Sequence, residues 1–245
     1  FMDGLRSGYH YDATKEIPNW NMPGFDDSSW NNALIADTPK GEAKLCEAEP
    51  IKAIQELKPV SITHYDELYY AFKPNPIYNA YIKENCPDLE ECKVNDVYVY
   101  DFGVNSAGIC KVKIKGEKGQ KIRLKHGEMM IEGKFNMNSI YFQRPGSRLD
   151  EYEYKQTDEY ILKGGEEEIF VPKFTYHGFR YVMVEGLTKE QATNDTVTYI
   201  VMNSDLKPRG NFKCSDDIIN KLYEMSVCSD LANFYYFPTD CPHRE

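Results

Sequence analysis

The chain reads as a mainly β protein: an antiparallel β-sandwich that gives way to a single C-terminal helix and loop. Three observations carry this. Between Val97 and Val201 short runs of alternating apolar and polar residues recur, divided by Gly/Asn/Asp turns. Aromatic residues are dense, with 19 Tyr and 12 Phe, and these favour strands. After Met202 the apolar spacing changes from two to the helical interval.

Residues 1–50 begin as if in mid-domain. Trp20, Phe25 and Trp30 stand among Gly, Pro, Asn and Asp, which is turn chemistry around aromatic anchors. A large indole gains most from burial, so both tryptophans are expected to pack inside rather than stack on a sugar. Near Ile51 the pattern changes. Ile54, Leu57, Val60 and Ile62 surround Pro59, the mark of an edge strand or crossing segment, because proline cannot donate to a ladder. Residues 64–96 carry a strand or hairpin around Leu68–Phe72 and otherwise read as a surface insertion.

From Val97 the strands are clear. Val97–Phe102 runs to a break at Gly103. Cys110, Val112 and Ile114 alternate with Lys111, Lys113 and Lys115, a half-buried strand with a lysine-rich outer face. A tight turn at 115–119 leads to Lys121–Lys125, and further strands are expected at Glu151–Leu162, Glu168–Val171, Tyr181–Val184 and Thr196–Val201. Beyond a boundary near 203–214, Ser215 is placed to cap a helix. Asp216 and Asp217 suit its positive end, and Ile218, Ile219, Leu222, Tyr223, Val227 and Leu231 follow at helical spacing. Such a helix has only the sandwich, or further helices, to cover its apolar face.

Composition narrows the partners. At 41% hydrophobic and 28% charged residues the chain is globular rather than disordered. A net charge of −10 argues against nucleic acid and anionic membranes. No apolar run is long enough for a spanning helix. No leader is visible at Phe1-Met2-Asp3-Gly4, which favours the cytoplasm over secretion. Seven scattered cysteines make neither a disulfide framework nor a C-x-x-C site, though a Cys86–Cys92 bridge is conceivable. The five histidines have no metal-ligand spacing, and neither metal nor cofactor is expected.

Reactive groups crowd in one place. Asp240, Cys241, His243, Arg244 and Glu245 fall within six positions, bracketed by Pro238 and Pro242. Both prolines disfavour helix, so an ordered loop can aim Asp240 and Glu245 into one cleft. From spacing alone a solvated loop is the better reading. Cys241 is expected to pack rather than act as a nucleophile, since nothing lowers its pKa. His177 and Arg180, among Phe174, Tyr176, Phe179 and Tyr181, are either a sugar platform or, preferably, sandwich packing. His126 and Glu128 read as a scaffold hydrogen-bonded pair.

An ordered series of motifs resembles the bacterial α-L-rhamnosidases of glycoside hydrolase family 78. Tyr100-Asp101-Phe102-Gly103-Val104-Asn105-Ser106-Ala107-Gly108 is similar to that family's Y-D-F-G-x-N-x-A-G, and His126-Gly127-Glu128 to its H-A-E, with glycine in place of alanine. Phe174–Val182 resembles F-T-Y-H-G-F-R-Y-V, and Ser204–Leu206 with Gly210–Ser215 resembles the approach to its catalytic domain. Asp240-Cys241-Pro242-His243-Arg244-Glu245 resembles D-C-P-x-R-E. The likeness covers nearly the whole chain and is weakest at 64–96.

The resemblance implies residues 1–50 as the tail of an upstream sandwich, 51–202 as a concanavalin-like sandwich, and 203–245 as the start of an (α/α)6 barrel whose remainder is absent. It implies an inverting hydrolase of rhamnose-containing glycans or glycosides, with Glu245 as general acid and Asp240 and Arg244 binding substrate. The general base would lie past Glu245, so these residues alone are expected to be silent. A carbohydrate-binding module and a non-catalytic scaffold are the other readings, and a homo-oligomer is left open.

Overall fold

The structure, a computed structural model, describes residues 2–4, 8–38, 40–71, 92–137 and 156–242. The expectations placed on Phe72, on Cys86, on 151–155 and on His243, Arg244 and Glu245 lie outside these residues.

In chain order the strands begin with β1 (Met2–Gly4), β2 (Gly8–Asp12), β3 (Ile51–Leu57) and β4 (Ser61–Ala71). The middle of the chain gives β5 (Cys92–Ile114), β6 (Lys121–Gly127), β7 (Met129–Ile131) and β8 (Lys134–Asn136). Then come β9 (Thr157–Ile161), β10 (Glu168–Phe170), β11 (His177–Glu185) and β12 (Val197–Ser204). Helix α1 spans Asp217–Ala232 and is followed by the short strands β13 (Phe234–Tyr235) and β14 (Phe237–Pro238).

The 23-residue β5 is the spine. Its first half pairs with β4 on one side and β11 on the other, and its second half pairs with β12, β11 and β10. Where the sequence suggested two strands broken at Gly103, the strand is continuous and bends there. Gly103 sits at φ +77°, and its N–H donates to Asp101 Oδ1. A left-handed angle inside a strand is least strained without a Cβ, although Asp96 adopts one in the same strand at φ +53°. One strand thereby pairs with β4, β10, β11 and β12, and the ten-stranded sheet curls around its main core.

That core joins Tyr98, Tyr100 and Phe102 with Val112, Ile122, Leu124, Phe179, Val182 and Tyr199 from the neighbouring strands. The opposite face of β5 is buried too, with Val97 and Val99 packed on Leu68, Tyr70, Phe135, Met137 and Met183. Two-sided burial explains why odd and even positions of Val97–Tyr100 are both apolar. Past the bend, Lys111 and Lys113 point outward to Glu56 and Glu167, as the alternation required.

Several local expectations are corrected. The sheet is mixed, because β2 pairs parallel with β9, His10 opposite Glu159. Parallel neighbours need a long crossover, and here more than half the chain separates the two. Pro59 divides two strands, β3 and β4, and β3 is indeed the edge of the sheet. Asp216, not Ser215, caps α1: its carboxylate accepts from the N–H groups of Ile218 and Ile219. Both tryptophans are exposed, Trp20 at 58% and Trp30 at 47%, with Trp30 edge-on to Phe25. No helix among the described residues is long and apolar enough to cross a membrane.

Helix α1 touches the sandwich only at its end. Ala232 packs with Ala107 and Tyr235, joined by Ile51, Tyr176 and Met202. Its apolar Ile218, Ile219, Leu222 and Met225 face outward.

Candidate functional site

The loop that carries the motif residues is anchored at its base. Strands β13 and β14 form a two-stranded hairpin around Tyr236, whose φ is +65°. Tyr235 donates its hydroxyl to Met202 O at 2.7 Å and stacks on Tyr176 with ring centroids 3.9 Å apart. Burial pushes the Tyr235 hydroxyl pKa well up, so it stays a donor. Tyr236 N–H donates to Ser204 Oγ at 2.8 Å, and Thr239 N–H to Asn233 O at 2.8 Å. The loop is thereby tied both to the end of β12 and to the cap of α1.

From this base the chain turns through Asp240, Cys241 and Pro242. Asp240 is exposed, and Cys241 Sγ lies 3.9 Å from its Oδ2. Pro242 lies against Gly178 on β11. Of the three site residues read from the sequence, the structure describes Asp240; Arg244 and Glu245 lie outside the described residues. Beside Thr239 opens a hollow of about 430 Å³, lined by Phe174, Tyr176, Tyr235, Tyr236 and Phe237.

The two motif histidines belong to a buried cluster instead. His126 on β6, Asp158 on β9 and His177 on β11 are fully buried. His126 Nδ1 is 2.8 Å from Gln156 O, so this nitrogen carries the proton and Nε2 is left as an acceptor, 3.8 Å from Asp158 Oδ2. His177 Nε2 donates to Asp158 Oδ1 at 2.9 Å, which also accepts the Tyr9 N–H at 2.8 Å. The two imidazoles stack with centroids 4.1 Å apart. Burial, reinforced by His177, drives the His126 pKa down to about 3. Burial would raise the Asp158 pKa, but His177, His126 and the Tyr9 amide together hold it below the ordinary value.

These are metal-ligand residue types whose donor atoms lie within 4.8 Å of one another. His177 Nε2 is engaged by Asp158 Oδ1 and His126 Nδ1 by Gln156 O, so the contacts made are those of a hydrogen-bonded cluster. The chemistry of the set is that of a polar lock holding β2, β6, β9 and β11 in register.

The expected His126–Glu128 pair is not formed: Glu128 accepts from Asn105 Nδ2, while His126 turns inward. Arg180, weighed as a sugar contact, is taken up by Asp101, and His177 is sealed in the core. Gln156 and Asp158 went unseen because their partners lie tens of residues away, beyond any local pattern. The six cysteines among the described residues are free thiols, and burial pushes Cys110 well above the usual thiol pKa.

Three family models match the chain in succession. The bacterial alpha-L-rhamnosidase concanavalin-like domain matches residues 92–203. The 6 hairpin glycosidase domain of the same enzymes matches 207–245, and their N-terminal domain matches 2–55. An alpha-L-rhamnosidase of Formosa agariphila is 30% identical over 99% of this chain and 22% of its own length. One from Streptomyces avermitilis is 31% identical over 98% of this chain and 20% of its own. The solved alpha-L-rhamnosidase of Dictyoglumus thermophilum superposes with a TM-score of 0.76 at 33% identity, covering 99% of this chain and 23% of that one. The Streptomyces avermitilis enzyme, solved in complex with L-rhamnose, gives 0.74 at 29% identity over 98% and 20%. The chain thus spans about a fifth of the length of these relatives. With three models of one family laid end to end along it, the chain belongs to the bacterial α-L-rhamnosidases.

Proposed function

We propose that this chain supplies the sandwich and the acid-bearing loop of an inverting α-L-rhamnosidase that releases terminal α-L-rhamnosyl residues from glycosides or polysaccharides. The observation that carries the reading is the D-C-P-x-R-E motif, whose approach is tied to β12 through Tyr235 and Tyr236 and to the cap of α1 through Thr239, within the span matched by the glycosidase model.

In this reading Glu245 protonates the departing glycosidic oxygen. Asp240 accepts hydrogen bonds from rhamnose hydroxyls, and Arg244 holds the substrate. Inversion requires a general base about 6.5–9.5 Å from the acid, with the attacking water between them. That base belongs to helices of the barrel past residue 245. The apolar face of α1 supports the presence of such helices, since Ile218, Ile219, Leu222 and Met225 are left exposed among the described residues. The division into 1–50, 51–202 and 203–245, and a cytoplasmic location, are part of the same proposal.

A second reading rests on the exposed Trp20 and Trp30, whose indoles flank an open hollow with Tyr11 and Lys163 and could stack on a sugar. Titrating the chain with L-rhamnose while following tryptophan fluorescence separates this reading from the first: a saturable shift supports it, and an unchanged spectrum removes it.

The decisive experiment is hydrolysis of an aryl α-L-rhamnoside by the 245-residue chain and by a polypeptide that continues through a whole six-hairpin domain. Turnover by the longer form alone, abolished by Glu245→Gln, is expected. Turnover by the 245 residues alone would place a base within them and overturn the reading.

A further inference from the structure

Two small residues of the motif strands, Ala107 on β5 and Gly178 on β11, stand directly opposite one another in the antiparallel ladder. Each faces a different part of the C-terminal segment. Ala107 packs on Ala232 and Tyr235, where α1 ends. Gly178 faces Pro242, so closely that a Cβ on Gly178 would lie 2.6 Å from Pro242 Cβ and 3.2 Å from its Cγ. The Gly178 backbone is also held from beneath. The fully buried Gln156 accepts the Gly178 N–H with Oε1 at 3.1 Å and donates Nε2 to the Gly178 carbonyl at 3.3 Å. Gln156 is itself fixed, because its carbonyl accepts from both the backbone N–H and Nδ1 of His126.

We propose that Ala107 and Gly178, with Gln156 as their clamp, form a seat that sets the position of the loop bearing Asp240 and Glu245, which makes Gly178 a positioning residue for the reaction. The catalytic half of this inference rests on the rhamnosidase reading; the seat itself does not. Several features agree. The contact is made by the proline three residues before Glu245, whose fixed φ passes a displacement on to the residues after it. Gly178 lacks a left-handed backbone angle, so close approach, rather than conformation, is what requires glycine there. The buried His126–Asp158–His177 lock adjoins the seat through His177 and Gln156 and gives it a rigid floor. The sandwich is then part of the catalytic apparatus and not a detachable sugar-binding module.

The test pairs hydrogen exchange of peptides spanning 233–245 in this chain with kcat on an aryl α-L-rhamnoside in the longer polypeptide. Gly178→Ala should speed exchange across 239–245 and lower kcat about 10–100-fold, as displacements of about 1 Å do, with KM much less affected. Adding Pro242→Gly, which removes the Cβ and Cγ that collide, should restore both readouts; adding Pro242→Ala, which keeps the Cβ, should not. Should Gly178→Ala fail to fold, Pro242→Ala alone, whose site lies outside the sandwich and which gives up the Cγ contact and the fixed φ, should loosen the same peptides. Unchanged exchange in these variants, or a defect equal in the Pro242→Gly and Pro242→Ala backgrounds, would overturn the seat. Rescued exchange with kcat at the wild-type level throughout would overturn the positioning role. Rescued exchange in a longer polypeptide that cleaves no rhamnoside would refute the rhamnosidase reading and leave the seat standing.

Discussion

Arg180 grips Asp101 at two points: Nε donates to Oδ1 at 2.8 Å and Nη2 to Oδ2 at 2.9 Å. The pair spans β11 and β5 where the ladder shifts register between Phe179 and Tyr181, just ahead of the bend at Gly103. The guanidinium also lies over the Tyr181 ring. A bulge and a bend side by side would otherwise leave this corner loosely defined.

Arg180→Ala should therefore cost about 1 kcal/mol, a modest figure because Arg180 is partly solvated. The hydrogen bond from Arg180, aided by the Gly103 N–H, holds the Asp101 pKa below its ordinary value. A depressed carboxyl pKa stabilises the fold above the unfolded value, and that contribution is lost as pH falls through the folded one. Acid titrations followed by circular dichroism should find unfolding of the variant beginning at higher pH.

The buried imidazole of His126 gives a second pH dependence. Its pKa falls from 6.5 unfolded to about 3 folded, so folding is favoured above pH 6.5 and weakens as pH drops through the interval down to about 3. The slope is at most about 1.4 kcal/mol per pH unit. Urea midpoints measured between pH 7 and 4 should decline, and His126→Asn, which can still donate to Gln156 O, should flatten that decline. An equal slope in both proteins would refute the assignment.

Tyr235→Phe removes the hydroxyl that satisfies Met202 O and leaves a carbonyl unpaired beside the α1 joint. A loss of about 1–2 kcal/mol is expected by chemical denaturation. Peptides covering 229–239 should lose more exchange protection than the sandwich strands.

Asp240→Asn in the longer polypeptide should lower kcat/KM about 10–100-fold, the size of a lost charge-assisted hydrogen bond. KM should carry most of the change if Asp240 binds hydroxyls. A change confined to kcat would assign it to the chemical step instead.

The strand-forming character of this chain is more legible in its sequence than its connections are. Val97–Phe102 and Cys110–Ile114 stand out because alternation and β-branching are local properties. Their union into one strand is hidden by Gly103, which reads as a stop although here it supplies a bend. Ser215 and Asp216 are equally good caps one residue apart, and only backbone geometry selects Asp216. The tryptophans were misjudged because hydrophobicity gives a tendency to bury, not the surface available to bury against. In the site, the loop was found from its crowded polar residues and by likeness to a family. The Gly178–Pro242 contact and the Gln156 clamp left no trace, since each joins residues brought together only by the sheet.

The parallel ladder between β2 and β9 has a consequence for how the protein is made. Residues 8–12 leave the ribosome about 145 residues before β9, so one edge of β2, whose other edge pairs with β1, must wait for the middle of the chain to be synthesised. Contacts closing loops of that length form slowly and expose strand edges meanwhile. They also cross the boundaries by which the family is divided, because β2 falls in the span of the N-terminal model and β9 in that of the concanavalin-like one. Expressing residues 92–203 alone would strip the partner from the outer edge of β9 and leave an adhesive rim. The first dozen residues are the hem of the sheet, and whoever trims at the domain boundary unpicks it.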